Sequence, residues 1–575
     1  MSASSSVVAM DHPWFRKYPT GIPHDIEVPN RLLHELVEDS VNRWSDRAAL
    51  IYYGSRWSYR RFWEESGRFA AALATEGLRP GDRIALYLPN CPVYPIAYFG
   101  ALRLGLIVTQ VSPLYLGQDL ARLLRDAEPK AIVVLEIHYP NLEKIAPEWP
   151  LPVTYVARLR DLYPPLTRLF VNRVLRRRGL STAFPTSTNV RRWKEAVRAK
   201  GSFPEFKGDA AGTVAVLQYT GGTTGVPKAA MLTHRNLVSN ALQCGAWFVG
   251  KEPGKEVVLA TVPFFHVYGM TVALNYPLLE GATIVLQTRP DVPELLRLIQ
   301  KYRPTDFPGV PALYQAINQN PNVGKYDIRS IKVCLSGSAP LPLEVAKKFE
   351  SLTGGRLLEG YGLTEASPVT HANPVVGERR AGSVGLPLPS TEQKIVDSET
   401  GTKPVPTGEV GELAVRGPQV MKGYYHQPQE SAATLRGGWL YTGDLARLDA
   451  DGYAYIVDRK KDMINVGGLK VYPRDVEEVL FQHPGVADAA VVGLPDSALG
   501  ESVHAIVVRK PGASVEPPEL IGFVRDRIAH YKAPRTVEFR DQLPRSGVQK
   551  VLRRELRQQA IAAQGGSPPV TGPGR

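Results

Sequence analysis

Ten residues at positions 219–228 combine glycines, hydroxyls and a lysine in the sequence YTGGTTGVPK. This composition disfavours helix and strand, but it suits a loop whose backbone N–H groups and hydroxyls converge on an anion. We expect the loop to bind phosphate, and the alternative is that it is an ordinary Gly/Thr turn. Because Pro227 precedes the lysine, the stretch is not the G-x-x-x-x-G-K-[ST] loop of NTPases. The candidate phosphate-binding residues are Thr220, Gly221, Gly222, Thr223, Thr224, Gly225 and Lys228.

Three further polar stretches could also bind a ligand, and we expect each in a loop beside an apolar strand. Residues 336–340 (SGSAP) follow a predicted strand, where α/β sheets place ligands. Residues 359–365 (EGYGLTE) offer an aromatic face, a hydroxyl and a carboxylate, which a stacked base and a metal-bound phosphate would use. Tyr361 alone is more often a core residue and Glu365 alone more often a solvated side chain, but their combination favours a site. Asp444 could bind ribose hydroxyls, although aspartate after glycine is also a common turn residue.

The elements that must position these stretches follow from the hydrophobic pattern. Helical and strand patterns alternate over residues 31–135 and again after position 233, which predicts an α/β fold with parallel or mixed sheets. Apolar runs on both sides of residues 219–228 predict two buried strands joined by this loop. The predicted organisation is an N-terminal extension (1–30), a large domain (31–460) that ends in a β subdomain from about 382, an α+β C-terminal domain (461–560) and a disordered tail (561–575).

Size and composition narrow the class of protein. A chain of 575 residues with 43% apolar and 22% charged residues is typical of a soluble globular protein with several units. No secretory signal is visible, and the apolar stretch at 91–111 is too interrupted to span a bilayer, so we expect a cytoplasmic location. The three cysteines predict neither a disulfide framework nor a metal cluster.

Nearly half of the net charge of +13 lies in one segment. Residues 158–178 contain seven arginines and one acid, and on a helix Leu166, Phe170 and Val174 would share one face. This pattern fits a peripheral membrane contact and, equally, a solvated basic helix. No zinc-finger spacing or RNA-binding aromatic strand is present, so we expect no nucleic-acid partner.

Four stretches of the chain together resemble a known superfamily. Residues 220–228, 359–365, 441–444 and 458–473 match, in order and spacing, the motifs of the adenylate-forming enzymes, which include acyl-CoA synthetases, luciferases and peptide-synthetase adenylation domains. The resemblance spans residues 32–558, and 217–225 and 458–464 look most like bacterial long-chain fatty-acid–CoA ligases. The basic insert near 171–179 also resembles that branch, whose members work at the membrane surface.

The resemblance implies ATP, Mg²⁺ and CoA as ligands and assigns roles to individual residues. Residues 220–225 would hold the ATP phosphates, with Thr220 and Glu365 near Mg²⁺ and Lys228 supporting the loop or the departing phosphates. Tyr361 would stack on adenine beside Ser338 and Ala339, and Thr364 would touch the α-phosphate. The remaining nucleotide-binding candidates are Glu359, Gly360 and Gly362 around Tyr361, and Asp444 and Arg459 at the ribose.

The resemblance also implies a mobile C-terminal domain that serves two half-reactions. Lys550 would supply positive charge during adenylation, although Gln549 replaces the glycine that usually precedes this lysine. Lys461 would be the hinge, and Gly467 and Gly468 would border the CoA channel.

The substrate follows less directly from the resemblance. His266, Met270 and Gly309 match acyl-site positions, and no aspartate near His266 is available to bind the ammonium of an amino acid. We therefore predict an ATP-dependent acyl-CoA synthetase for medium- or long-chain fatty acids. The alternatives are an aryl-acid (4-coumarate-like) CoA ligase, an acyl-AMP ligase and a non-catalytic acyl or nucleotide sensor. The oligomeric state stays open, a dimer included.

Overall fold

The computed structural model describes residues 12–177, 179–180, 183–220, 228–546 and 550–564. The chain divides into two compact units, which are described separately. The first contains Met1–Glu392 and Arg416–Leu440, and the second contains Gln393–Val415 and Tyr441–Arg575. The domain bounds given above stay a prediction.

The first unit contains an eight-stranded sheet that confirms the predicted α/β class. The six strands from Val214–Thr220 to the edge strand Val190–Arg192 run parallel to one another. Lys228–Thr233 and Gly423–Tyr424 are antiparallel to their neighbours. In spatial order the strands are Gly423–Tyr424, Lys228–Thr233, Val214–Thr220, Ile107–Val111, Arg83–Tyr87, Ala131–Leu135, Val153–Ala157 and Val190–Arg192.

Two four-stranded sheets complete the first unit. One has the order Val257–Ala260, Thr283–Leu286, Ala48–Tyr52, Ser55–Ser58, and the other Val333–Ser336, Arg356–Gly362, Val369–Ala372, Leu386–Pro387. Apolar side chains pack into buried clusters beside these sheets, and one cluster contains Leu295, Ile299 and Phe307. The α-helices are Leu33–Trp44, Tyr59–Thr75, Val93–Arg103, Gly117–Ala127, Tyr139–Ile145, Pro165–Arg177, Trp193–Ala196, His234–Trp247, Val267–Met270, Tyr276–Leu279, Val292–Tyr302, Pro311–Gln319, Leu343–Thr353 and Pro428–Thr434.

Local capping signals explain several helix starts. The Ser58 hydroxyl accepts a hydrogen bond from the Arg61 N–H at 3.2 Å and begins the helix Tyr59–Thr75, as the sequence predicts. Thr233 and Asn236 form a reciprocal capping box at the start of His234–Trp247, directly after the second strand of the phosphate-loop candidate. None of the helices formed by described residues has the length and apolar composition to cross a membrane.

The second unit is built on two sheets. In the first, Gly411–Arg416 lies between Glu392–Val396 and Trp439–Leu448, and the latter also pairs with Ala454–Arg459. The other has the order Leu469–Val471, Ile464–Val466, Gly500–Arg509, Val486–Asp496, and Thr536–Phe539 pairs in parallel with Gly500–Arg509. Its helices are Pro473–Phe481, Pro517–Arg525 and Arg553–Gln564.

Candidate functional site

Two antiparallel strands frame the candidate phosphate loop, which we call the glycine loop (residues 220–228). Thr220 pairs with Lys228 at the base of the loop, and the Thr220 hydroxyl donates to the Lys228 carbonyl at 3.3 Å. The two strands therefore hold the ends of the loop together, as the sequence predicts. The loop candidates Gly221, Gly222, Thr223, Thr224 and Gly225 lie outside the described residues.

A cluster of four side chains lies at the C-terminal end of the glycine loop. The Tyr424 hydroxyl donates a hydrogen bond to Glu365 Oε1 at 2.7 Å. Lys228 forms an ion pair with Glu430, and its Nζ lies 5.6 Å from the centre of the Tyr424 ring. Burial and the adjacent Glu365 raise the pKa of Tyr424, so its hydroxyl stays a donor. The predicted metal ligand Glu365 is thus linked to the loop lysine.

Sequence reasoning missed Tyr424 and Glu430. Glu430 is 202 positions from Lys228 in the chain, and Tyr424 is 59 positions from Glu365. Tyr424 reaches the site because its short strand pairs with Lys228–Thr233, with Tyr424 opposite Ala230. The local sequence around Tyr424 contains no pattern that would have pointed to this contact.

The nucleotide candidates at 336–340 and 359–365 come together through neighbouring strands. Val333–Ser336 pairs in parallel with Arg356–Gly362, and Ser336 lies opposite Glu359. The expectation that 359–365 is a loop is wrong for Glu359, Gly360, Tyr361 and Gly362, because these residues pair within a sheet. Thr364 and Glu365 lie in the 3₁₀ turn Thr364–Ala366 that follows.

The same correction applies to residues 441–444. Asp444 lies inside the strand Trp439–Leu448, opposite Arg459, so this stretch is also not a loop. Pairing along the whole strand overrides the local turn signal of glycine followed by aspartate.

Two features near residue 336 indicate a ligand position. The buried Ser336 hydroxyl has no hydrogen-bond partner among the described residues. Ser338, which precedes Ala339, has a φ of +71°, a strained conformation for a residue other than glycine. Strained backbone of this kind concentrates at binding sites.

The glycines at 360 and 362 also have a packing role. A Cβ at Gly362 would lie 2.1 Å from the Pro368 carbonyl oxygen, and one at Gly360 would lie 2.7 Å from Leu335 Cδ1. Close packing between strands therefore requires both glycines, whatever they do for a ligand.

The three acyl-site candidates lie in the first unit. His266 caps the short helix Val267–Met270, and its Nδ1 accepts from the Tyr268 N–H at 3.2 Å, which places the proton of the neutral ring on Nε2. Met270 is fully buried, within 3.6 Å of the Tyr98 hydroxyl. A Cβ at Gly309 would lie 2.9 Å from the Tyr314 ring, so Tyr314 occupies the space beside this glycine.

In the second unit, Lys550 belongs to a charged cluster. Arg459 Nε lies 3.5 Å from Asp444 Oδ1, and the charges of both groups shift the pKa of Lys550. Burial and the cations Arg459, Lys461 and Arg553 lower the pKa of Lys550 to about 7, against the opposing effect of Asp444. A backbone hydrogen bond holds Lys550 in place: the Ser546 N–H donates to the Lys550 carbonyl at 2.8 Å. Gln549 lies outside the described residues.

Gly467 and Gly468 form the turn of a β-hairpin. They connect Ile464–Val466 to Leu469–Val471, both have positive φ, and both are exposed. Two consecutive residues at positive φ favour glycine in such a turn. Lys461 is exposed and precedes this hairpin.

Comparison with known proteins identifies the family. A model of the AMP-binding enzyme family matches residues 37–425, and a model of its C-terminal domain matches residues 475–550. The chain belongs to the AMP-binding enzyme family. Its relatives include the long-chain-fatty-acid–CoA ligase of Bacillus subtilis (strain 168), 43% identical over 95% of this chain and 97% of the relative. They also include 4-coumarate–CoA ligase 2 of Nicotiana tabacum, 33% identical over 94% of this chain and 96% of the relative.

Solved structures of similar enzymes support this family assignment. ATP-bound MatB from Rhodopseudomonas palustris is 29% identical with a TM-score of 0.81, covering 93% of this chain and 100% of that structure. The anthranilate CoA ligase AuaEII in complex with anthranoyl-AMP is 26% identical with a TM-score of 0.83, covering 94% and 99%. The predicted superfamily and fold class are therefore confirmed for this member of the AMP-binding enzyme family.

Proposed function

We propose that this chain is an ATP-dependent fatty-acyl-CoA synthetase, an AMP-forming acid–thiol ligase. The observation that supports a fatty acid over an aryl acid is its 43% identity to a long-chain-fatty-acid–CoA ligase, against 33% to a 4-coumarate–CoA ligase. In the first half-reaction a carboxylate oxygen attacks the α-phosphorus of ATP, and the bond to pyrophosphate breaks. In the second, the CoA sulfur attacks the acyl carbon, the bond to AMP breaks, and the thiol proton is released.

The first-unit residues would bind ATP and orient its α-phosphate. Backbone N–H groups and hydroxyls of the glycine loop would donate to the phosphates, with Lys228 held near the loop by Glu430. Tyr361 would stack on the adenine beside Ser338 and Ala339, and Thr364 would donate to the α-phosphate. The family motifs and the strand pairing of 333–336 with 356–362 support these roles.

Thr220 and Glu365 fit a magnesium site. A hydroxyl and a carboxylate are hard oxygen donors, and Mg²⁺ commonly uses one or two protein carboxylates together with substrate phosphates. The hydrogen bond from Tyr424 fixes one Glu365 oxygen. When bound, Mg²⁺ would offset the negative charge of the phosphates.

The second-unit residues would supply charge and bind the ribose and CoA. The Asp444 carboxylate would accept from the ribose hydroxyls beside Arg459, and the Lys550 ammonium would stabilise the charge that builds up between the α-phosphate and the leaving pyrophosphate. Gly467 and Gly468 would border the CoA pantetheine, and Lys461 would be the hinge.

The acyl group would bind near His266, Met270 and Gly309. Met270 and Tyr98 are fully buried, which suits an apolar chain more than a charged substrate. The position of Tyr314 beside Gly309 would limit how far the acyl chain extends there.

We further propose that the helix Pro165–Arg177, here called the arginine helix, contacts the anionic inner surface of the membrane. Leu166, Phe170 and Val174 are 81%, 64% and 46% exposed and follow a four-residue spacing along one face. Exposed Arg173 and Arg177 belong to the same helix. Exposed apolar side chains next to cations are the pattern of an interfacial helix.

A substrate panel tests the reaction. CoA-dependent AMP release would be measured with acetate, octanoate, palmitate and 4-coumarate. We expect the highest kcat/KM with octanoate or palmitate. A preference for 4-coumarate would support the aryl-acid ligase, AMP release that does not depend on CoA would support an acyl-AMP ligase, and absence of pyrophosphate exchange would support a sensor.

A further inference from the structure

A basic cleft lies at the end of the eight-stranded sheet formed by Val153–Ala157 and Val190–Arg192, several strands from Val214–Thr220, which leads into the glycine loop. Its volume is about 570 Å³, and it is lined by five cationic side chains and two carboxylates. We call it the arginine cleft. The cations are Arg158, Arg160, Arg192, Lys194 and Arg198, and the carboxylates are Asp161 and Glu195.

The sheet topology explains why the cations converge. The strands Val153–Ala157 and Val190–Arg192 are parallel neighbours, with Val156 opposite Arg192. Arg158 directly follows the first strand, and Arg192 ends the second, so both lie at the carboxyl edge.

Two guanidinium groups share one aromatic ring in the cleft. The Cζ atoms of Arg158 and Arg192 lie 4.8 and 4.4 Å from the centre of the Phe184 ring. The Phe184 ring therefore holds two like charges near each other, an arrangement that an anion would stabilise. Trp193, which is buried, forms another part of the lining.

The carboxylates of the cleft neutralise these cations only in part. Glu195 is 75% exposed and 3.6 Å from Arg192 Nε, and Asp161 is 3.9 Å from Arg160 Nε. Both distances are long for ion pairs, and exposed pairs contribute little.

Arg158 has donor capacity that the described residues do not use. Its Nε atom is buried and has no hydrogen-bond partner among them. The nearby Glu136 carboxylate accepts instead from the Leu159 N–H at 2.9 and 2.7 Å. A buried guanidinium donor without an acceptor costs free energy, which a bound anion would recover.

We propose that the arginine cleft is a binding site for a phosphate group, separate from the glycine loop. Phosphate oxygens match the planar donor array of guanidinium groups, and two arginines can each donate to one phosphate. The proposal goes beyond the ligase reaction and does not depend on it. The phosphate could belong to a lipid headgroup, since Arg168 donates to the Asp161 carbonyl at 3.1 Å and links the cleft to the arginine helix, or to a free phosphorylated metabolite.

Calorimetric titration of the full chain with inorganic phosphate tests the proposal. We expect Arg158→Gln to weaken phosphate binding about tenfold or more, because a charge-assisted hydrogen bond is lost. Since Arg158 is partly buried, exposed Arg198→Gln is a second variant, for which we expect a weakening of about threefold at unchanged thermal midpoint. Arg297→Gln, an exposed arginine of the helix Val292–Tyr302 outside the cleft, is the matched control.

Equal phosphate affinity of wild type, both cleft variants and the control would overturn the proposal, since phosphate bound at the glycine loop would be the same in all four proteins. Sedimentation with phosphatidylcholine vesicles, with and without phosphatidic acid, then identifies the source. Weaker binding of the cleft variants to phosphatidic acid vesicles would support a headgroup. Unchanged vesicle binding together with weaker binding of inorganic phosphate would support a free metabolite. Acyl-CoA formation is assayed separately, so failure of the proposed ligase activity would leave this result unaffected.

Discussion

Lys550 is a partly buried amine among charges of its own unit. Its pKa of about 7 means that, in the free protein, the ammonium form decreases as pH rises through neutrality. If this cation stabilises the departing pyrophosphate, adenylation depends on the protonated form. The kcat/KM for pyrophosphate exchange should therefore fall with rising pH, with a midpoint near 7.

Two substitutions test separately whether the reaction needs a cation at position 550 and whether the pH dependence comes from the titration of Lys550. Lys550→Arg keeps a cation at all these pH values, so its profile should lose the alkaline decline. Lys550→Ala should reduce exchange by about 10²- to 10³-fold, the usual cost of a lost charge-stabilising group. An alkaline decline retained in Lys550→Arg would show that another group titrates.

Tyr424 orients the carboxylate that we assign to the metal. Tyr424→Phe removes the 2.7 Å hydrogen bond to Glu365 and keeps the aromatic ring. We expect a loss of about tenfold in exchange and a higher Mg²⁺ concentration for half-maximal rate, because a hydrogen bond to a charged group contributes about 1.5–3 kcal/mol. The matched control is Tyr425→Phe, whose ring stacks on His426. An unchanged Mg²⁺ dependence in Tyr424→Phe would contradict a role in positioning Glu365.

At the scale of elements, the arginine helix has an apolar face that the unit does not cover. Leu166→Gln combined with Phe170→Gln should reduce binding to anionic vesicles severalfold, since each side chain would lose the burial of its apolar surface in the interface. The thermal midpoint should stay the same because both side chains are exposed. Sedimentation with vesicles measures the effect.

The control for this helix is Leu343→Gln, at the start of Leu343–Thr353, where leucine is 48% exposed. It removes similar apolar surface elsewhere in the same unit. If Leu343→Gln weakened vesicle binding as much as the double variant, the arginine helix would not be the contact surface.

At the scale of the whole molecule, two histidines connect helices that are distant in sequence. His34 and His234 lie 5.8 Å apart between ring centres, and the Leu33 N–H donates to His234 Nδ1 at 3.1 Å. Burial lowers the pKa of His34 to about 4 and that of His234 to about 3. The folded state therefore keeps both rings neutral while the unfolded state takes up protons below its normal histidine pKa near 6.5.

The contribution of this neutral pair to the free energy of unfolding is fully present above pH 6.5 and is lost as pH falls toward 4. The free energy of unfolding of the wild type falls between pH 6.5 and about 5, and His34→Gln should reduce this fall by about 1.5 kcal/mol. The reason is that one pKa unit corresponds to about 1.4 kcal/mol. Thermal midpoints across this pH range provide the measurement, with exposed His530→Gln as the control. Parallel curves for wild type and His34→Gln would show that the pair does not titrate on unfolding.

Much of the molecule follows from its sequence because the signals are local. The helix caps at Ser58 and Thr233, the two strands that frame the glycine loop and the start of the helix at Pro473 each depend on neighbouring residues. The order and spacing of motifs were also sufficient to predict the family. Local preference failed at Tyr361 and Asp444, where pairing between strands determines the backbone.

Only the tertiary structure decided which distant side chains meet. Tyr424 reaches Glu365 because its short strand pairs with Lys228–Thr233, and Glu430 reaches Lys228 because the helix Pro428–Thr434 packs on that short strand. No spacing in the sequence encodes those contacts. The lowered pKa of Lys550 likewise depends on burial and on charges about ninety residues earlier in the chain. The arginine cleft exists because the last two strands of the sheet end side by side, which brings Arg158 and Arg192 to one ring. Sequence therefore specified the reaction class through local motifs, whereas long-range packing set the electrostatics of each site.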